Sequence, residues 1–151
     1  MIDAAKKAGL KILTITDHFE MDGLNNYLQS SNVLTAKKLK NYLDEIENTD
    51  KKGIKVLKGL EIEYNPDYEE EIKKLIKELG IDYSLGAVHY LGKISIDSNY
   101  KDFEENIRLQ KGAKKLVSRY YDTLKKAINT GIFDCIANLD IIRMQIGRAH
   151  V

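Results

Sequence analysis

Hydrophobic and polar positions along this 151-residue chain follow two alternating periods. Short, β-branched apolar runs predict strands, and the segments between them carry apolar residues at helical spacing. Residues 11–16 (Lys-Ile-Leu-Thr-Ile-Thr) form the first run and lead into Asp17-His18. Residues 54–60 form the second and lead into Glu61-Ile62-Glu63-Tyr64, while 83–88 form the third and lead into His89-Tyr90. Ala36, Leu39, Leu43 and Ile46 predict a helix between the first two runs, with Thr35 as its N-cap. Tyr68, Ile72, Leu75, Ile76 and Leu79 predict another, approached through Pro66 and closed by Gly80. A long helix is expected over 102–130, ending at Gly131 and followed by a fourth run, 133–137, that leads into Asn138. Strand alternating with helix is the pattern of βα units, so the expected class is α/β with a parallel sheet.

The ends of these runs hold the candidate chemistry. His18, Glu61 and His89 each stand where an apolar run gives way to a polar turn, and parallel α/β folds place their chemistry at the carboxyl ends of strands. Imidazole and carboxylate are ligands for zinc, iron and related cations. Asp17 can fix the tautomer of His18 or bind a second metal. Each residue also has a structural explanation: a strand-end histidine commonly makes an ordinary hydrogen bond, and an acid in an alternating strand lies either in water or beside a cation. Glu61 and Glu63 share a face if the strand continues, leaving depth along it to separate a ligand from a solvated neighbour. The small residues Gly86-Ala87 before His89 permit close approach of backbone or ligand. Their common topological position favours one metal site over three separate explanations.

Composition narrows the remaining classes. Hydrophobic residues make up 43% and charged residues 31%, with 24 basic against 23 acidic side chains, so no net field recruits nucleic acid or an anionic membrane. A lone cysteine, Cys135, expected inside a buried strand, excludes an intrachain disulfide framework and a cysteine-only zinc site. A reducing cytoplasm is the expected setting. No apolar stretch approaches the roughly 18 residues that span a bilayer, and no secretion signal opens the chain. Polar connections are expected at 25–32 and 95–101.

Both ends carry their own expectations. Residues 1–10 read as the second half of an amphipathic helix ending at Gly9, without the strand that normally precedes it. Residues 146–151 (Ile-Gly-Arg-Ala-His-Val) match the translation of a widely used sequencing-library adapter, ATC GGA AGA GCA CAC GTC. A non-native tail over 145–151 is therefore expected after a partial domain at 1–144; an ordinary frayed terminus is the alternative.

Three segments in this order, Gly9 to Phe19, Gly59 to Tyr64 and Leu85 to Tyr90, resemble successive motifs of the polymerase and histidinol phosphatase (PHP) superfamily. The resemblance is closest to its histidinol-phosphatase branch and extends to Met144. It implies a distorted (β/α)7 barrel, present in part, with up to three divalent cations (Zn, Mn or Fe) at the strand ends. On that basis Glu61 would bridge two metals, His89 would bind the second, His18 would serve a more peripheral third and Asp17 would support the site. Asn138 stands where many members have histidine before Leu-Asp; its carbonyl can ligate a hard cation but suits zinc less well. The family's opening His-x-His and closing Asp-x-His motifs are expected outside 1–144.

The resemblance implies hydrolysis of a small phosphomonoester, L-histidinol phosphate, in histidine biosynthesis, with little turnover expected from these 151 residues alone. Arg119 and Arg143 are candidate phosphate clamps, Arg119 ahead of Arg143, each with the alternative of a solvated cation. Tyr90 either lines the substrate pocket or packs. Two other classes remain: a nuclease-type or polymerase-associated member, disfavoured by the absence of a basic stripe and of an appended nucleic-acid module, and a catalytically dead scaffold or binding module, for which Asn138 would be a sign.

Overall fold

The structure, a computed structural model, describes residues 1–19, 36–49, 51 and 53–144. The expected loop at 25–32, the Thr35 cap and the tail at 145–151 lie outside the described residues. The elements run α1 (Ile2–Lys7), β1 (Ile12–Phe19), α2 (Ala36–Asn48), β2 (Lys55–Glu63), α3 (Glu69–Glu78), β3 (Tyr83–Ala87), β4 (Tyr90–Leu91), β5 (Ile94–Ser95), α4 (Tyr100–Leu109), α5 (Ala113–Thr130) and β6 (Cys135–Ile136). The sheet order is β1-β2-β3-β6, with β4 and β5 forming a separate hairpin. β1 and β2 pair in parallel, with Ile12 opposite Lys55 and His18 opposite Glu61. Asp82 N donates to Lys58 O at 2.8 Å and Tyr64 N to Ala87 O at 2.7 Å, so β2 and β3 also advance together. The expected α/β class with a parallel sheet is what folds. Among the described residues the four strands form an open order with β1 and β6 at its ends.

Two compact units divide the chain, the first from Met1–Ile62 and Glu70–Leu85, the second from Glu63–Glu69 and Gly86–Val151. In the first, Ala5, Ile46, Ile54 and Val56 form the core, joined by Ile2, Leu13, Ile15 and Tyr42. Leu39 and Ile46 are buried on α2 and Leu43 is half-buried, the face that the helical spacing predicts. Gly59 is required by crowding: a Cβ there would lie 2.6 Å from Thr14 Cγ2 and 2.8 Å from the Ile15 carbonyl.

The second unit has a core of its own, in which Tyr64, Phe103 and Tyr120 are the bulkiest members. Asn99 caps α4 by accepting from Asp102 N at 2.9 Å. α5 ends at Gly131, whose left-handed φ of 64° closes the helix as its spacing predicts.

Four expectations are corrected. The continuous helix over 102–130 is two helices, because Lys111 (φ 59°) and Gly112 (φ 128°) leave helical geometry between them. β1 and β2 extend beyond residues 16 and 60 to Phe19 and Glu63, since pairing to neighbouring strands outweighs the low strand propensity of Asp17, His18 and the two glutamates. The fourth run contracts to Cys135–Ile136. Cys135 is exposed, not buried: β6 is a two-residue strand at the end of the sheet order, and Ile136 rather than Cys135 packs toward the core.

Candidate metal centre

β1 and β2 set the first pair of candidate ligands. In parallel register His18 lies directly opposite Glu61, and strand alternation turns both side chains to one face. His18 Nδ1 is 3.7 Å from Glu61 Oε1; the imidazole is 51% exposed and the carboxylate 13%. Two ligands on one tetrahedral zinc, with bonds of about 2.0–2.1 Å, sit roughly 3.3 Å apart. The pair is therefore close to ligating separation.

Asp17, by the same alternation, faces away from His18. It lines a pocket of about 520 Å³ with Ile15, Tyr42, Glu45, Ile46 and Thr49. Its N–H donates to the Tyr42 hydroxyl at 3.2 Å, and that hydroxyl lies 2.8 Å from both the Ile15 and Gly59 carbonyls. Ordered parallel pairing would bring the Asp17 N–H to the Gly59 carbonyl, so the Tyr42 hydroxyl is a bridge set into the β1–β2 ladder just before the His18–Glu61 pair.

His89 is fixed by a residue that the sequence reading leaves as a mere neighbour of Glu61. Glu63 is 2% exposed at its side chain. Its carboxylate accepts from His89 N at 3.0 and 2.9 Å, from Tyr90 N at 3.1 Å and from His89 Nδ1 at 2.9 Å. Burial pushes the Glu63 carboxyl above the usual range, while the His89 and Tyr90 donors oppose that shift. With its proton on Nδ1, the ring presents Nε2 as a lone pair, the arrangement of a carboxylate-oriented metal ligand. Asn138 Nδ2 lies 3.1 Å from Nε2. The available signal for Glu63 was the spacing of Glu61-Ile62-Glu63, which puts a second acid on the ligand face.

His18, Glu61 and His89 each offer a ligand atom, and these atoms all lie within 4.8 Å of one another. A donor set of two imidazoles and a carboxylate suits zinc, iron or manganese, so these residues fit the implied metal. Asn138 stands at the Nε2 edge of His89. The two arginines do not converge in this way: Arg119 on α5 is exposed and donates to Gln110 Oε1 at 2.9 Å. Arg143 pairs with Asp140 at 3.5 Å, and both line an open pocket of about 560 Å³ with Asn138, Ile141 and Met144. Tyr90 is half-buried.

A parallel α/β chain with a cluster of histidines and carboxylates at its strand ends defines a class of metal-binding domains. The chain belongs to the PHP domain family, which its sequence matches over residues 1–150. It is 29% identical over 143 residues to a Deinococcus radiodurans protein named "Probable histidinol-phosphatase", covering 91% of this chain and 52% of that one. A Listeria monocytogenes protein assigned as a histidinol phosphatase superposes with a TM-score of 0.75 at 19% identity, covering 94% of this chain and 56% of the other. The histidinol phosphate phosphatase of Lactococcus lactis, solved with zinc, L-histidinol and phosphate, superposes at 0.60 with 17% identity, covering 93% and 51%. The two structural likenesses show the fold. The chain spans about half the length of these relatives.

Proposed function

We propose that this chain is part of a metal-dependent phosphomonoesterase that converts L-histidinol phosphate and water to L-histidinol and phosphate, in histidine biosynthesis and in the cytoplasm. The observation that carries the reading is the convergence of His18, Glu61 and His89 within 4.8 Å in a PHP domain. The name of the Deinococcus relative supports the reaction, and the zinc, L-histidinol and phosphate of the Lactococcus complex support the cofactor and substrate class.

The chain's residues divide the work. Glu61 and His18 offer oxygen and nitrogen ligands on adjacent strands, and Glu63 holds the His89 proton on Nδ1, which leaves Nε2 to serve as the ligand atom once the Asn138 amide yields it. Asn138 supplies an amide where an imidazole is more usual. When bound, divalent cations (Zn, Mn or Fe, up to three) lower the pKa of water and neutralise phosphoryl oxygens, which slow phosphomonoester hydrolysis requires. Arg143, in the pocket that Asn138 lines, is better placed than Arg119 to clamp a phosphate.

The test is phosphate release by the protein carrying this chain, supplied in turn with Zn²⁺, Mn²⁺ and Fe²⁺. Histidinol phosphate is expected to be hydrolysed and a short oligonucleotide left intact, with activity lost to a chelator. Oligonucleotide cleavage without histidinol phosphate turnover would favour a nuclease, and binding without turnover of either substrate a scaffold.

A further inference from the structure

We propose that Tyr120 is a positioning residue, whose hydroxyl holds the Asn138 backbone and thereby fixes the Asn138 amide against the Nε2 edge of His89. Tyr120 lies on α5 with no exposed surface, in the core with Leu116 and Leu124. Phenylalanine would fill that apolar space without the cost of burying a hydroxyl, so the hydroxyl's partner carries the information. That partner is the Asn138 carbonyl, which accepts the Tyr120 proton at 2.6 Å.

Asn138 needs such a tether. Its φ is 55°, in the left-handed region that asparagine tolerates better than most residues but still enters at a cost. Its backbone is held from both sides: Ala137 N donates to Gly86 O at 2.9 Å, and the Asn138 carbonyl accepts from Ile141 N at 3.2 Å as well as from Tyr120. Holding the peptide that follows Asn138 at its carbonyl, and the Ala137 N–H one peptide before its own, limits the directions the side chain can take. The amide then reaches His89 Nε2 at 3.1 Å, opposite the Nδ1 edge that Glu63 holds at 2.9 Å. The ring is clamped on two edges, one clamp anchored on β2 and the other on α5. The hydrogen bond of Tyr120 is to the Asn138 backbone, so its effect on the ring passes through Asn138.

The experiment uses the full chain, metal-free, labelled with ¹⁵N in its three histidines. Tyr120→Phe is expected to shift the His89 Nε2 resonance in the direction produced by Asn138→Gly, which removes the amide while suiting the backbone angle. It is also expected to tighten binding of Zn²⁺ alone severalfold, because the cation must displace the Asn138 N–H from the same Nε2 lone pair. In the Asn138→Gly background Tyr120→Phe should change neither readout. Val117→Ala, which trims the same helix without touching the hydroxyl, should leave both at the parent values.

A His89 resonance unmoved by Tyr120→Phe, or an equal further shift in the double variant, overturns the proposal. Only the zinc measurement rests on the metal-centre reading. Absence of zinc binding by the parent would count against that reading, and the metal-free resonance would still decide the role of Tyr120.

Discussion

The Glu63 carboxylate accepts from both the backbone N–H and the ring Nδ1 of His89, at 2.9–3.0 Å. One buried acid thus sets the position of the strand end and the tautomer of the residue it delivers. Glu63→Gln keeps the shape but loses the charge, and is expected to weaken divalent-cation binding roughly 10–100-fold, measured by calorimetry. Glu63→Ala should also lower stability in denaturant, because the buried His89 and Tyr90 N–H groups lose their partner at about 1–3 kcal/mol each. Equal cation affinity in Glu63→Gln and the parent would remove Glu63 from the site.

The Tyr42 hydroxyl makes a parallel prediction on the other ligand pair. It bridges Asp17 N with the Ile15 and Gly59 carbonyls one step before His18 and Glu61. Tyr42→Phe should destabilise the chain by about 1–3 kcal/mol through the unsatisfied ladder groups. Amide exchange at Asp17 should accelerate while exchange at Phe103, in the other core, stays unchanged.

Gly86 is expected to admit no side chain. A Cβ there would lie 2.6 Å from Phe133 Cγ, and the Phe133 ring packs edge-on against Tyr64 at a centroid distance of 6.1 Å. Gly86→Ala should cost about 1–3 kcal/mol by overpacking. Phe133→Leu in the same background should restore part of the loss, which thermal melting would show; no rescue would locate the strain elsewhere.

The strand positions and the three candidate ligands were legible because β-branched runs and their polar ends are local signals. Residues 11–16, 54–60 and 83–88 each contain the core of an observed strand, and His18, Glu61 and His89 converge. The features that stayed hidden depend on distant partners. Glu63 looks like any second acid on an alternating strand until His89, 26 residues later, folds its N–H groups onto it. The Tyr90–Leu91 and Ile94–Ser95 hairpin is too short to leave a period-two pattern. The break at Lys111–Gly112 falls inside a segment whose apolar spacing fits one helix as well as two, and only the glycine hinted at it. Cys135 was placed by its apolar neighbours, whereas its exposure follows from the position of β6 in the sheet order.

Alkaline pH should destabilise the chain with a defined sign. Burial pushes the Tyr42, Tyr64 and Tyr120 hydroxyls up from 10.0 to about 12. Between these values the unfolded chain releases protons that the folded chain retains, so ν_U is below ν_N and stability falls as pH rises. These hydroxyls are expected to make the denaturation midpoint decline from pH 10.0 to about 12, and to make it decline less in Tyr120→Phe. A midpoint independent of pH in that window would place these hydroxyls in water.

Cation binding should appear as stability before it appears as turnover, because His18, Glu61 and His89 meet only in the folded chain. A ligand that binds the folded state alone adds RT ln(1 + [L]/Kd), about 2.7 kcal/mol at a hundredfold excess over Kd. Zn²⁺ or Mn²⁺ should therefore raise the melting temperature of the metal-free chain, and a chelator should reverse the gain. His89→Ala should abolish most of this increment, since it removes the ligand that Glu63 orients. His18→Ala should abolish less, because its imidazole is 51% exposed and its ligation competes with water. An increment that survives both substitutions would place the cation elsewhere, and the order of the two losses measures how much of the centre depends on the buried Glu63–His89 pair.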